Sequence, residues 1–336
     1  MARPPASLND FIGQRRVVAH LGKLVARARE RGEAIGSLLL LGPPGMGKTA
    51  LAAAIAREYS GTHSSAPSSN FLRILAGPRI TAMLVGKLTD IKYGDVLFID
   101  EIHSLDREAQ ELLNVALDDR RTLGRTEDGK LDRGTSVSLA DFTLVGATTE
   151  PGKVTHALRS RLNQVALDPY ELRELKAIAE KAGRERGLTL TAQAARHLAE
   201  RSHRTPRSVE GLVELLRRTK GALATVDQQT VRVFLEELGI DERGLNRSQQ
   251  EYLRTLAAAV GRYTSISVLG TRLGLDAKYI REDIESHLML LNLVEIGSGG
   301  RALTEKGRAL AGTMACASEA ADDSDLSDSE PKEVAS

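Results

Sequence analysis

The sequence has almost no cysteine and no long apolar run. Its single cysteine, Cys316, cannot form a disulfide or a cysteine-based zinc site within one chain, which fits a reducing compartment. No stretch approaches the ~20 apolar residues of a membrane span. The opening residues, Met1-Ala2-Arg3-Pro4-Pro5, lack the apolar core of a secretory signal. We therefore expect a cytoplasmic protein without a membrane segment.

A strong excess of charge is also missing. The formal net charge is +1 over 336 residues, so the chain as a whole is not drawn to nucleic acid or anionic lipid. The segment after Ser318 differs, because it has seven carboxylates, one lysine and almost no apolar residues, a net −6. This composition predicts disorder. The length predicts two to three domains.

The most informative motif is a glycine-rich loop, Gly42-Pro43-Pro44-Gly45-Met46-Gly47-Lys48-Thr49. It follows the apolar run Leu38-Leu39-Leu40-Leu41 and precedes an alanine-rich stretch that predicts a helix. Such a loop binds phosphates, because its backbone N–H groups surround them and the helix N-terminus adds a favourable dipole. Lys48 can reach the β- and γ-phosphates, and the Thr49 hydroxyl can bind Mg²⁺. We therefore predict that the protein binds ATP and Mg²⁺.

Two further apolar runs, at 95–101 and 142–146, predict buried strands. They alternate with helical patterns, which indicates a mostly parallel α/β sheet up to about residue 168. The first run ends in Asp100 and Glu101. One carboxylate there can hold the Mg²⁺ shell while the next activates or orients a water. For His103, which follows, an orienting role and a purely structural role both remain open.

Polar residues after the second run complete the predicted ATPase site. We expect Thr149 to sense the γ-phosphate or the attacking water. An arginine at a subunit edge can neutralise charge on a neighbour's γ-phosphate, and the pattern does not choose between Arg159 and Arg161. Thr205-Pro206 predicts a helix start and puts Arg207 in its first turn. Because a cation there opposes the helix dipole, we expect Arg207 to serve another group, such as a phosphate.

The chain after Asp168-Pro169 has a different pattern. Three or four amphipathic helices extend to about Leu238, and residues 239–244 predict a linker. Residues 247–312 predict a helix-turn-helix with a wing, and a protein-contact role for this module remains an alternative to DNA binding. Its basic residues suit contacts to the DNA backbone rather than sequence readout: Arg272, Lys278, Arg281, Arg301, Lys306 and Arg308.

Together these motifs resemble the AAA+ ATPases, and more narrowly the RuvB-type Holliday junction branch-migration ATPases. The P-loop and the Asp-Glu pair are generic to AAA+ proteins. Four more specific stretches occur in the same order as in the RuvB type: Phe11-Ile12-Gly13-Gln14, Asp100-Glu101-Ile102-His103, Gly146-Ala147-Thr148-Thr149 and Thr205-Pro206-Arg207. The resemblance covers about residues 3–312. It implies an α/β, AAA+ parallel-sheet nucleotide-binding domain (1–169), an all-α lid (170–242), a winged-helix DNA-binding domain (243–313) and an acidic tail (314–336).

The resemblance also implies roles for individual residues. The catalytic residues would be Lys48, Asp100, Glu101, Thr149, the trans-acting finger Arg161 and the lid sensor Arg207. Thr49 and Asp100 would bind Mg²⁺, and Arg301 would bind DNA on the wing. The nucleotide would contact Arg3, Phe11, Ile12, Gly42, Gly45, Gly47, Lys48, Thr49, Ala50, Tyr170 and Arg207. Three residues, Asp118, Asp119 and Arg120, would face the nucleotide of the neighbouring subunit.

The implied function is ATP-driven branch migration of Holliday junctions in recombination and repair. A homo-oligomeric, hexameric ring would translocate double-stranded DNA, with a RuvA-like partner docked on a hairpin at about 121–140. A non-motor AAA+ switch or loader, whose nucleotide state controls assembly on DNA or protein, remains an alternative. The sequence departs from the family at several positions: Ala50 replaces a second Thr, the hairpin tip 125–130 is highly polar, and Ile296 and Gly299 replace wing arginines.

Overall fold

The computed structural model describes residues 5, 7–60, 71–126, 128, 131–221, 225–259 and 263–314. Arg3, Cys316 and the acidic tail after Ser318 therefore lie outside the described residues. The chain divides into two units, Met1–Val231 and Arg232–Ser336. Within the described residues, no helix combines the length and the apolar character needed to cross a bilayer.

The described part of the first unit is built on strands that the apolar runs largely predict. The strands are β1 (Leu38–Leu41), β2 (Phe71–Leu75), β3 (Val96–Asp100), β4 (Arg121–Arg125), β5 (Leu131–Ser138), β6 (Thr143–Thr148) and β7 (Asn163–Ala166). Five of them form a parallel sheet in the order β2-β3-β6-β1-β7. All six residues of β6 are buried, as expected for a parallel strand covered on both faces. The predicted parallel α/β sheet is confirmed.

This strand order positions the predicted site. β1, β3 and β6 are the three central strands, and the P-loop, Glu101 and Thr149 each follow one of them directly. Because all three strands run in the same direction, their carboxyl ends meet at one edge of the sheet, where ligands of open α/β folds bind.

Helices cover the sheet and continue beyond it. They are α1 (Arg15–Arg31), α2 (Lys48–Ser60), α3 (Thr81–Thr89), α4 (Arg107–Asp118), α5 (His156–Arg159), α6 (Leu172–Glu185), α7 (Ala192–Arg201), α8 (Pro206–Lys220) and α9 (Gln228–Glu237). The predicted start of α8 is confirmed, since the Thr205 hydroxyl accepts a hydrogen bond from the Ser208 N–H at 3.3 Å and Pro206 takes the first helical position. The helical pattern predicted after Pro169 corresponds to α6 through α9.

The predicted hairpin at 121–140 is also present. β4 and β5 pair antiparallel, with a register shift between Leu123 and Gly124. Leu123, Leu131 and Leu139 pack against the core of the first unit, so contacts with the core extend along the hairpin. Three residues of its polar tip, 127, 129 and 130, lie outside the described residues, and docking of a partner there stays a prediction.

The described part of the second unit is the predicted winged helix. Its elements are α10 (Arg247–Ala257), α11 (Ile266–Leu273), α12 (Ala277–Tyr279), α13 (Ser286–Leu290), β8 (Val294–Gly297) and β9 (Gly300–Leu303). β8 and β9 pair antiparallel and form the wing. The second helical stretch of this unit is not one regular α-helix, because a π-helical segment, Ile280–Glu285, joins α12 to α13. This segment places Ile280 and Ile284 in the core together with Tyr252 and Leu253.

Candidate active site

A cleft of about 890 Å³ opens in the first unit at the carboxyl edge of the sheet. This volume is in the range of small-molecule sites. The cleft is lined by these residues, among others, that the sequence predicts for the nucleotide: Phe11, Ile12, Gly45, Gly47, Lys48, Thr49, Ala50, Asp100, Glu101, Tyr170 and Arg207. The fold therefore brings together residues from the N-terminal segment, the P-loop, β3 and α8.

The P-loop glycines allow close packing around the cleft. Gly45 and Gly47 have φ of +81° and +87°, a left-handed conformation that side chains rarely adopt. A Cβ on Gly45 would lie 3.1 Å from Cβ of Arg207, and one on Gly47 would lie 3.3 Å from Cζ of Phe11. The Arg207 N–H also donates to the Gly45 carbonyl at 3.3 Å. The start of α8 is therefore tied directly to the phosphate loop.

Lys48 is a buried cation in this loop. Its Nζ donates hydrogen bonds to the carbonyl oxygens of Gly42 (2.7 Å) and Pro43 (3.0 Å). Burial lowers the pKa of Lys48, while the charges of Glu101 and Asp100 act in the opposite direction and Arg207 lowers it further. A desolvated ammonium gains from additional negative charge, so this environment favours a phosphate close to Lys48.

Thr49 and Asp100 offer two oxygen ligands side by side. The Thr49 hydroxyl donates to Oδ2 of Asp100 at 3.2 Å. Mg²⁺ prefers oxygen ligands and in phosphate sites uses one or two protein groups beside the phosphates. The two residues therefore fit the predicted Mg²⁺ site in kind and in position.

Glu101 is held in an unusual conformation at the end of β3. Its backbone lies in the left-handed region, with φ 50° and ψ 47°, which is costly for a non-glycine residue and is typical of functional sites. Oε2 of Glu101 accepts hydrogen bonds from the Thr149 hydroxyl (3.2 Å) and N–H (3.4 Å). The predicted sensor Thr149 is thus joined to the predicted catalytic carboxylate.

His103 connects the ends of β3 and β6. Its Nδ1 lies 3.2 Å from Oε2 of Glu101 and 2.9 Å from Oγ1 of Thr148, and its Nε2 lies 3.3 Å from Oε1 of Glu150. The sequence left the role of His103 open. These contacts favour the orienting role, since His103 contacts the same oxygen that Thr149 contacts.

Tyr170 closes the side of the cleft next to the N-terminal segment. It is buried, and its hydroxyl donates to the Met46 carbonyl at 3.2 Å; burial raises the pKa of Tyr170 above its ordinary value. A Cβ on Gly13 would lie 2.6 Å from the Tyr170 ring. The Gln14 side chain forms two hydrogen bonds to the Asp168 backbone, at 2.5 and 2.8 Å. These contacts give Gly13 and Gln14 a structural role beside Tyr170.

Arg161 does not line the cleft of its own chain. Its Nε lies 2.8 and 2.9 Å from the two carboxylate oxygens of Asp118, and this pair lowers the pKa of Asp118. Arg159 instead donates to the Pro151 carbonyl at 3.0 Å. Arg161 also donates through Nη1 to the Ala157 carbonyl at 2.5 Å, so both arginines have partners in their own chain and the choice of Arg161 as the finger stays a prediction.

The other residues predicted to face a neighbour have different surroundings. Asp119 is exposed. Arg120 has partners in its own chain, since Nε lies 3.1 Å from Oδ1 of Asp141 and the guanidinium lies 5.3 Å from the centre of the Phe142 ring. Contact of Asp118, Asp119 and Arg120 with a neighbouring nucleotide stays a prediction.

Arg301 is paired with a buried carboxylate of its own unit. Its Nε and Nη2 donate to the two oxygens of Glu285 at 2.8 and 3.2 Å, and the Tyr252 hydroxyl donates to the same carboxylate at 2.8 Å. The side chains of Arg301 and Glu285 are 14% and 2% exposed. The guanidinium is paired inside the winged-helix unit, which gives Arg301 a structural role there; its contact with DNA stays a prediction.

Replacing Arg301 by alanine is therefore expected to destabilise the winged helix by about 3 kcal/mol, because the buried carboxylate of Glu285 loses its cation. Calorimetric unfolding of the full chain measures this loss. Lys278→Ala is the matched control, since it removes the same charge from an exposed position of the same unit. An Arg301→Ala protein with unchanged unfolding and weakened DNA binding would contradict the structural role.

Two family models match the chain. "Holliday junction DNA helicase RuvB P-loop domain" matches residues 3–167, and "RuvB C-terminal winged helix domain" matches residues 242–311.

Individual relatives cover nearly the same span. The Holliday junction branch migration complex subunit RuvB of Rhodospirillum centenum is 36% identical over 309 residues, which covers 90% of this chain and 83% of the relative. The subunit of the same name from Oenococcus oeni is 33% identical and covers 90% and 88%. The solved structure of the Thermotoga maritima RuvB Holliday junction branch migration motor is 32% identical, with a TM-score of 0.75 and coverage of 90% and 96%. The similarity thus extends over both units.

Proposed function

Since this chain belongs to the RuvB family, we propose that it is an ATP-driven motor that promotes branch migration of Holliday junctions. Acting as a ring, it translocates duplex DNA during recombination and repair. The observation that carries the proposal is the cleft in which Lys48, Thr49, Asp100, Glu101 and Arg207 meet. The winged helix in the second unit supplies a module of a kind that binds DNA.

Each residue of the cleft has a separate role in ATP hydrolysis. The P-loop N–H groups and Lys48 bind the β- and γ-phosphates. Thr49 and Asp100 would hold Mg²⁺, which would neutralise phosphate charge there. Glu101 accepts a hydrogen bond from the attacking water and directs it at the γ-phosphate, while Thr149 and His103 keep the carboxylate in place. Arg207 contacts the phosphates from α8.

The same geometry supports a site shared between subunits. Arg161 lies outside its own cleft and reaches the γ-phosphate of a neighbouring copy, and Asp118, Asp119 and Arg120 face the same interface. A shared site of this kind closes into a symmetric ring when every copy uses the same two surfaces. We propose a hexamer, with α6 through α9 as the lid that transmits the nucleotide state. A RuvA-like partner on the β4–β5 hairpin and a cytoplasmic location stay predictions.

A synthetic four-way DNA junction tests the motor directly. We expect ATP-dependent branch migration, with and without a candidate RuvA-like protein, and ATP turnover that rises when duplex DNA is added. Folded, assembled protein that shows neither DNA-stimulated turnover nor junction movement would rule out the motor. A single ATP hydrolysed per assembly event, without continuous cycling, would instead support the switch or loader.

A further inference from the structure

Arg73 contacts the predicted metal ligand from the neighbouring strand. Its Nη2 lies 3.0 Å from Oδ2 of Asp100, and the two side chains are 50% and 16% exposed. The same oxygen accepts the hydrogen bond from the Thr49 hydroxyl at 3.2 Å. The guanidinium therefore binds the same carboxylate oxygen of Asp100 that Thr49 contacts. The proposed function places Mg²⁺ at this oxygen.

The strand register shows that this contact depends on the length of the arginine side chain. In the pairing of β2 with β3, Leu75 is opposite Asp100, whereas Arg73 is opposite Phe98. Arg73 must reach two residues along the strand, roughly 6–7 Å, to meet Asp100. Phe71 and Phe98 stack with ring centres 5.7 Å apart, which holds β2 against β3 at this point.

The other cations of the cleft have different partners. Lys48 donates to the Gly42 and Pro43 carbonyls, and Arg207 is joined through its backbone to Gly45; both already have roles in the proposed function. Arg57 donates to the Pro5 carbonyl at 2.6 Å, and Lys181 donates to the Asp10 carbonyl at 3.5 Å. Arg73 lines the same cleft and has no role in the proposed function.

We propose that Arg73 is a positioning residue whose guanidinium takes the place of Mg²⁺ on Asp100 before the metal binds. The inference rests on the proposed function in that Thr49 and Asp100 hold Mg²⁺. Two cations cannot share Oδ2 at contact distance without repulsion, so the guanidinium would have to leave Oδ2 for Mg²⁺ to be held there. Arg73 stays within the cleft, where a guanidinium is well suited to pair with phosphate oxygens.

Two effects of opposite sign follow for an Arg73→Ala protein. Without Mg²⁺, the cleft has lost a cation, so nucleotide binds more weakly. With Mg²⁺, the metal has lost its competitor, so it binds more tightly. General damage to the site would weaken nucleotide binding and Mg²⁺ binding alike. It would therefore not give weaker nucleotide binding together with tighter Mg²⁺ binding.

A fluorescent ADP analogue measures both quantities, first in EDTA and then during a titration with MgCl₂. For Arg73→Ala we expect the affinity for the ADP analogue in EDTA to fall by about threefold or more, as for the loss of a partly exposed ion pair. We also expect the half-saturating Mg²⁺ concentration to fall by about threefold or more, because Mg²⁺ binds more tightly. Arg73→Lys keeps the charge with a shorter reach and should give intermediate values. Arg107→Ala, which removes an exposed arginine of α4 paired with Glu111, should match the unchanged protein in both.

The remaining outcomes are also decisive. If Arg73→Ala raises the half-saturating Mg²⁺ concentration, or changes neither quantity, the proposal is wrong. An Asp100→Asn protein tests the underlying assignment separately. If it shows the same Mg²⁺ dependence as the unchanged protein, Asp100 does not hold the metal and the proposed function of this residue fails, whatever Arg73 does.

Discussion

An Arg161→Ala protein is expected to lose ATP turnover by roughly 10³-fold or more, the effect of removing an arginine finger, and to keep its affinity for ATP. Arg161 does not line its own cleft, so it contributes to binding there only weakly. In the isolated chain its guanidinium contacts Asp118 and the Ala157 carbonyl, and the side chains of Arg161 and Asp118 are partly exposed. The pair with Asp118 is bidentate, and a neighbouring γ-phosphate, which a guanidinium also binds in a bidentate way, would take the place of Asp118. Steady-state turnover and binding of a fluorescent ATP analogue measure the two quantities.

Mixing experiments separate a shared site from a damaged one. Arg161→Ala and Lys48→Ala proteins are each expected to be inactive. In a mixed ring, some interfaces combine an intact Lys48 with an intact Arg161 from the neighbour, so the mixture should regain turnover. Arg159→Ala is the matched control, because Arg159 is two residues away and bonds to its own loop; it should remain active. An Arg161→Ala protein that turns over ATP normally, or a mixture that regains nothing, would contradict the shared site.

The sequence predicts the centre of the sheet better than its edges. β1, β3 and β6 are continuous apolar runs because both of their faces are covered. The edge strands β2 and β7 are not continuous apolar runs. In β7, Val165 is buried and its neighbours are exposed, and in β2 only Ile74 is buried. Short, partly exposed strands of this kind are recognisable only once their neighbours are known.

The active site divides in the same way. Short sequence motifs contain the P-loop, Asp100, Glu101 and Arg207. Their roles could therefore be predicted from the sequence alone. Contacts made across strands leave no such pattern in the chain. Arg73 reaches Asp100 from β2, and His103 reaches Glu150 after β6, so both depend on the strand order. Arg301 shows the reverse case, since its position on the wing predicts an exposed cation whereas packing directs it to Glu285.

The second large effect on ATP turnover is expected at Glu101, whose Oε2 contacts both Thr149 and His103. Oε2 accepts from Thr149 and lies 3.2 Å from Nδ1 of His103. A glutamine at this position keeps the size of the side chain and one carbonyl oxygen. It loses the negative charge and the capacity to take a proton from water. Glu101→Gln therefore removes the chemical step while leaving the phosphate loop and the Mg²⁺ ligands in place.

We expect Glu101→Gln to reduce ATP turnover by about 10²–10⁴-fold, the usual contribution of a general base, and to retain bound ATP. Single-turnover hydrolysis measures the loss, and chromatography of the complex followed by nucleotide analysis identifies ATP rather than ADP. Glu150→Gln is the matched control, because Glu150 also contacts His103 but pairs through its other oxygen with Lys153, 2.7 Å away. If Glu150→Gln lost as much turnover as Glu101→Gln, the contact with His103 rather than the carboxylate of Glu101 would account for the effect. If Glu101→Gln released ADP at the normal rate, another group would have to activate the water.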